Sequence, residues 1–187
     1  MLFAAVVAAA LVVSIALAPR VDKAVTEIAL PLRHEDIIRQ QAADKGLDPT
    51  LIAGVIYTES RFRDQTSPAG AKGLMQILPS TADDIARKSG GTAFVQGDLA
   101  DPQVNISYGS FYLRYLMRRY GGNDVLAIAA YNAGEGRVDK WLFDAREQGE
   151  DFDATRHIPF PETRDYVKRV TEARARYRER YGRELTL

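Results

Sequence analysis

No cysteine occurs anywhere in the 187 residues. That excludes disulfides, cysteine-based zinc sites and thiol catalysis. Histidine is almost as scarce, with two residues, His34 and His157. They are isolated from each other and from every other reactive cluster, which argues against serine–histidine catalysis and against a metal centre. Net charge is absent as well, because 25 Lys and Arg balance 25 Asp and Glu. No global field therefore recruits nucleic acid or an anionic membrane. There is no phosphate loop, EF-hand or dinucleotide fingerprint, and no internal repeat. No segment sustains a period-two pattern and no Asn-Gly hairpin signal occurs, which leaves little support for a sheet.

What remains is an ordinary globular composition, 46% hydrophobic and 27% charged, enough for one real core and too apolar for a disordered chain. The apolar residues are not evenly spread. Residues 2–18 of "MLFAAVVAAALVVSIALAPR" are almost unbroken hydrocarbon, ending in a small-residue "ALA" pattern. This reads as the hydrophobic region of an export signal. No Lys or Arg precedes it and Pro19 follows at once, so an uncleaved membrane anchor is the other reading, at the short limit for spanning a bilayer. Residues 19–33 lack clear periodicity and read as a linker, leaving 34–187 as the folded domain.

Helical signals begin there. "HEDIIRQQAADKG" is stopped by Gly46, and "LDPTLIAGVIYTES" opens with Asp48 as N-cap and Pro49 at the first helical position. Ser80 and Asp83 form a capping-box-like start to a helix ending at Gly90–Gly91. A long helix starts at Asp101–Pro102 and stops at Gly121–Gly122. "NDVLAIAAYNAG" closes at Gly134, "GRVDKWLFDA" follows, and a final helix runs from Pro161 to Gly182. The expected fold is mainly α. Short strands within the loops would escape this pattern. The final helix includes the arginine-rich "RDYVKRVTEARARYRERYGRE", which reads as a solvated face with intrahelical ion pairs or as a contact for anionic polymer or lipid.

One charge is out of place. Ile52, Val55 and Ile56 share a helix face, and Glu59 continues their spacing. It should point into the core or a cleft, in the last turn, where the helix dipole disfavours an anion. Both effects raise a carboxyl pKa, and a carboxyl kept protonated near neutrality can act as a general acid. The plain alternative is a Glu that emerges at the helix end and pairs with Arg61 or Arg63. Around it, "SPAGAKGLMQ" brings two glycines, Met75 and Gln76 close in sequence, and "AIAAYNAGEG" displays Tyr131 and Asn132. Glycines let backbone approach a ligand, Gln and Asn both donate and accept, and Tyr adds a flat apolar face. Such polar groups on apolar walls suit a ligand groove. Tyr131 reads equally well as a buried tyrosine bonded to backbone, and Met75 as ordinary core.

In this order and at this spacing, "ESRF", "SPAGAKGLMQILPSTA", "DPQVNISYGSFYLRYL", "AYNAGEGRV" and "IPFPETRDYVKRV" resemble the lytic transglycosylases of the soluble (SLT) type, relatives of the goose-type lysozymes. The resemblance spans roughly residues 34–170 and implies a lysozyme-like α fold. It implies peptidoglycan glycan strands as substrate, cut at the β-1,4 link from N-acetylmuramic acid to N-acetylglucosamine, with no cofactor. By this likeness Glu59 protonates the glycosidic oxygen, then acts as base on the muramic acid C6 hydroxyl to close a 1,6-anhydro ring. Ser67, Met75, Gln76, Tyr131, Asn132 and Tyr166 would line the groove, with Tyr166 near the catalytic carboxyl.

Most glycosidases use two carboxylates, although substrate-assisted families manage with one. Asp64, Asp83 and Asp84 are the possible second carboxylates in the sequence, and a hydrolytic muramidase or a non-catalytic wall-binding module are the competing readings. The absence of a lipobox cysteine excludes a lipoprotein. A monomer of the periplasm or cell envelope, possible membrane contact through residues 1–18 and no nucleic-acid partner complete the expectations.

Overall fold

The computed structural model describes residues 27–90 and 95–186, and the chain divides into two compact units, residues 1–33 and 34–187. The expected export signal or anchor at 1–18 lies outside the described residues, as does Gly91. The first unit contributes a helical turn at 27–29.

The second unit is helical: α1 (Glu35–Lys45), α2 (Pro49–Ser60), α3 (Pro79–Ser89), a 3-10 turn at Gln96–Ala100, α4 (Pro102–Arg119), α5 (Asp124–Ala133), α6 (Glu135–Glu147), the short α7 (Ala154–His157) and α8 (Pro161–Thr186). Among the described residues the only extended pairing is two isolated antiparallel bridges, Thr66 to Lys72 and Lys72 to Ile77, in the loop after α2. The mainly α expectation holds.

Most helix ends follow the residues that mark them. Asp48 caps α2 by accepting from the Thr50 amide at 2.8 Å. Asp101 caps α4 by accepting from the Val104 amide at 3.1 Å. Gly46 ends α1 in the left-handed region at φ 60°. Two markers mislead. The helix α3 starts one residue before Ser80, at Pro79 with Leu78 as N-cap and no side-chain cap; proline's fixed φ sets the start in place of the hydroxyl. Gly182 does not stop α8, which breaks its helical angles at Tyr181 (φ −124°) and continues to Thr186.

The centre of the unit is α2. Leu51, Ile52, Ala53, Val55 and Ile56 are all within 1% of full burial, so the helix is enclosed on every side, not along one stripe. Each large aliphatic among them stabilises the fold by roughly 2 kcal/mol. Its main partner is α8, and Gly54 makes the approach possible: a Cβ there would sit 2.9 Å from the Arg174 amide nitrogen. The helix α1 packs on α2 and α4, and α5 lies between α4, α6 and α8.

An ionic cluster fixes the α2–α8 crossing. Arg174 donates to Asp48 through Nε at 3.1 Å and a terminal nitrogen at 2.9 Å, and also pairs with Asp124 at the start of α5. Arg178 adds a third donor to Asp48 at 2.5 Å. Burial opposes ionisation of Asp48, yet the bonds from Thr50, Arg174 and Arg178 outweigh it and bring its pKa down to about 2.

Candidate active site

Glu59 ends the enclosed helix and opens, half-buried, onto a cleft of about 500 Å³. The cleft walls come from the loop after α2, from α4, and from the junction of α5 and α6. Two bonds hold that loop under the carboxyl. The Ser60 hydroxyl donates to the Leu74 carbonyl at 2.7 Å, while Asn105 of α4, 1% exposed, brackets the loop from beneath. Its Oδ1 accepts from the Met75 amide at 2.8 Å, and its Nδ2 donates to the Lys72 carbonyl at 3.0 Å.

The Tyr166 hydroxyl, from α8, donates to Glu59 Oε1 at 2.6 Å. Burial pushes the Glu59 carboxyl up, the Tyr166 bond and the Arg169 charge oppose it, and the pKa stands at about 7. Burial, with Glu59 nearby, also pushes the Tyr131 and Tyr166 phenols well above their ordinary range, so both remain O–H donors. Glu59 pairs with neither Arg61 nor Arg63, which are exposed.

Four of the expected groove residues, Ser67, Gln76, Tyr131 and Asn132, line this cleft with Glu59. Their internal bonds set what each offers. The Gln76 amide nitrogen donates to the Gln65 and Gly73 carbonyls at 2.9 and 2.8 Å, so its oxygen is the end left for a ligand. Asn132 is the reverse: its Oδ1 accepts from the Thr163 hydroxyl at 2.9 Å, leaving the amide donors. Ser67 accepts from the Ala71 amide at 3.1 Å and keeps its own proton available. Tyr131 is both things its sequence allowed, since its hydroxyl donates to the Met75 carbonyl at 3.0 Å while its ring faces the cleft.

Met75 and Tyr166 stand differently. The Met75 side chain is fully buried at 0% exposure and is a floor support, not a wall. Its sulfur fills the space left by Gly109, where any Cβ would overlap it. Tyr166, 3% exposed, lies behind Glu59 and reaches the site through its hydroxyl alone.

The expected second carboxylates are elsewhere. Asp64 is exposed, Asp83 lies half-buried on α3, and Asp84 pairs with Arg87; none lines the cleft. Glu162 does, together with Thr81, Tyr112 and Arg137, and sequence reasoning passed over all four. Tyr112 had a readable signal, because Tyr108, Phe111, Tyr112 and Tyr115 form a helical aromatic stripe. Its ring lies 5.6 Å from that of Tyr131. Glu162 had none, being one acid at a helix start among many. Among the described residues no cluster of His, Asp and Glu is placed to hold a metal ion.

Comparison with known proteins agrees with this fold. A family model for the transglycosylase SLT domain matches residues 36–153. The chain is 36% identical over 163 residues to the soluble lytic murein transglycosylase of Escherichia coli (strain K12), an alignment covering 86% of this chain and 25% of that protein. The crystal structure of the 70-kDa soluble lytic transglycosylase from Escherichia coli superposes with a TM-score of 0.77 at 36% identity, over 86% of this chain and 26% of that one. An inactive glutamate-to-glutamine mutant of the lytic transglycosylase Slt from Pseudomonas aeruginosa superposes with a TM-score of 0.72 at 36% identity, over 84% and 26%. The chain thus spans about a quarter of the length of these relatives.

Proposed function

The chain belongs to the transglycosylase SLT domain family, and on that premise we propose that it is an exported peptidoglycan lytic transglycosylase with Glu59 as its acid and base. The reading rests above all on Glu59: a half-buried carboxyl with its pKa pushed up to about 7, whose bonded partner is a neutral phenol.

In the proposed reaction Glu59 gives its proton to the glycosidic oxygen between N-acetylmuramic acid and N-acetylglucosamine as the C1–O bond breaks. Positive charge develops at C1, and the substrate's own N-acetyl oxygen shields it, as in other single-carboxylate glycosidases. The Glu59 carboxylate then takes the proton of the C6 hydroxyl while that oxygen closes on C1. The products are a 1,6-anhydromuramic end and a free N-acetylglucosamine hydroxyl. Glu59 finishes protonated and no water is consumed. An acetamido group needs one acceptor and one donor, and the Gln76 oxygen and the Asn132 amide supply that pair.

A hydrolytic muramidase is the second reading, and Glu162 is the observation in its favour, since a second carboxylate on the same cleft could activate water. A pure wall-binding module has no use for a carboxyl whose pKa is raised to about 7. The proposed setting is the cell envelope, with residues 1–18 directing export or anchoring the chain.

Mass spectrometry of muropeptides released from purified sacculi tests this. Wild-type protein should release fragments one water lighter than hydrolytic products, and E59Q should release none. E162Q should keep the anhydro product at a reduced rate. Hydrated reducing ends that vanish in E162Q would replace the proposal with the muramidase.

A further inference from the structure

Gln76 and Asn132 both bring side-chain amides to the cleft. An amide is nearly symmetric in shape, so turning it over swaps donor for acceptor at little steric cost. What each presents to a ligand is therefore set by its bonded partners. Gln76 is settled within its own loop. Its nitrogen donates to the Gln65 and Gly73 carbonyls at 2.9 and 2.8 Å, and a turned amide would set its oxygen against both carbonyl oxygens. Its backbone stands at φ 47°, a left-handed value uncommon outside glycine, so backbone and side chain are committed together.

Asn132 is held from further away, by Thr163 in the first turn of α8, 31 positions along the chain. The Thr163 hydroxyl donates to Asn132 Oδ1 at 2.9 Å, and at 4% exposure it is closed to water. A hydroxyl accepts as readily as it donates, so the bond alone does not fix the amide. The buried proton does. If the amide turned over, its nitrogen would bond to the threonine oxygen and the hydroxyl proton would be stranded. A stranded buried donor disfavours that orientation by about tenfold or more. Without the hydroxyl, the preference disappears.

The consequence for a ligand rests on the reading of the cleft as a glycan groove. An acetamido group carries one acceptor and one donor, which the Asn132 nitrogen and the Gln76 oxygen satisfy. A sugar that has lost its acetyl group carries an amine, which in mild acid is an ammonium with donors and no acceptor. The Asn132 N–H then meets another donor and goes unpaired. We propose that Thr163 is a positioning residue for this discrimination. Acting through Asn132, it makes the cleft favour N-acetylated glycan over glycan with free amino groups.

Binding tests it apart from turnover, in E59Q so that nothing is cut. Calorimetry in mildly acidic buffer compares oligomers of N-acetylglucosamine with glucosamine oligomers of the same length. E59Q should bind the acetylated oligomer more tightly, by on the order of tenfold. E59Q/T163V, of the same shape without the hydroxyl, should lose most of that ratio as Asn132 turns its oxygen to the ammonium. E59Q/T163S keeps a hydroxyl and should keep the ratio, which a merely structural role for Thr163 does not require. E59Q/N132D keeps the shape but offers no N–H, and should prefer the amine. A ratio unchanged in E59Q/T163V would overturn the proposal, as would equal binding of both oligomers by E59Q. Neither result bears on the proposed reaction, which stands or falls on the ends that wild type releases from sacculi. Hydrated ends there would overturn that reaction and leave the Thr163 ratio intact.

Discussion

The Tyr166 hydroxyl donates to Glu59 Oε1 at 2.6 Å, joining residues 107 positions apart. Tyr166 can only donate here, because burial and the adjacent Glu59 push its own pKa well above the ordinary phenol value. The bond favours the ionised carboxylate, whereas burial favours the protonated acid, and burial wins in part, leaving the pKa at about 7. A carboxyl at that value exists in both forms near neutrality, as a group that first gives and then recovers a proton requires.

Removing that bond should shift the pH profile in a definite direction. In Y166F the ionised carboxylate loses its donor, so the Glu59 pKa rises further and the acid form persists to higher pH. The alkaline limb of the rate profile should move up by about half a unit to one unit. The rate at its optimum should fall roughly 10- to 100-fold as the carboxyl loses its fixed position. Muropeptide release measured across pH 5–9 reports both. An unmoved limb would mean that Tyr166 does not set the Glu59 proton affinity.

Glu59 also links stability to pH. Its native pKa of about 7 lies above the ordinary 4.5, so the native state holds this proton more tightly than the unfolded chain. That contribution is complete below pH 4.5 and is lost as pH rises through 7. Gln cannot ionise and should keep it. E59Q should therefore be more stable than wild type above pH 7, by roughly 3 kcal/mol, and the difference should close below pH 4.5. Urea titrations at pH 4 and pH 8 measure it.

The sequence made the helices and the acid legible for different reasons. Asp48–Pro49 and Asp101–Pro102 are local signals, complete within a few residues, and both mark real helix starts. Glu59 was found through a spacing that implied one apolar face. The actual cause of its burial is stronger, since α2 is enclosed on all sides and any carboxyl at its end meets the cleft floor. What escaped depends on contacts distant in sequence. Nothing near Asn105 says that its amide will bracket a loop 30 residues away, and nothing near Glu162 says that its helix start will border the Glu59 cleft. Met75 was misplaced at the wall because the sequence gives no view of Gly109 behind it.

Asp48 should govern the acid limit of stability. Its native pKa of about 2 lies below the ordinary 3.8, so its contribution is present above pH 3.8 and disappears as pH falls through 2. D48N keeps the shape but loses the charge that Arg174 and Arg178 bind. It should cost about 1–2 kcal/mol at pH 7, the range of a helix cap joined to partly exposed ion pairs. The gap between variant and wild type should narrow steadily as pH falls from 4 to 2. A constant gap over that range would show that capping shape, not charge, carries the contribution.

The Gly109–Met75 contact should couple the floor of the cleft to the helix beneath it. A methyl group at position 109 overlaps the Met75 sulfur, and Met75 cannot move freely. Its amide is held by Asn105 and its carbonyl by the Tyr131 hydroxyl, at 2.8 and 3.0 Å. G109A should therefore destabilise by roughly 1–3 kcal/mol, the range for overpacking, and should slow muropeptide release through the displaced Tyr131 ring. M75A removes the sulfur and leaves a cavity, with its own cost of about 2–5 kcal/mol. In G109A/M75A the new methyl group enters that cavity, so the double variant should be at least about 1 kcal/mol more stable than the sum of the two losses predicts. Equilibrium unfolding of the four proteins completes the cycle, and strict additivity would show that the two residues do not share the space beneath the cleft.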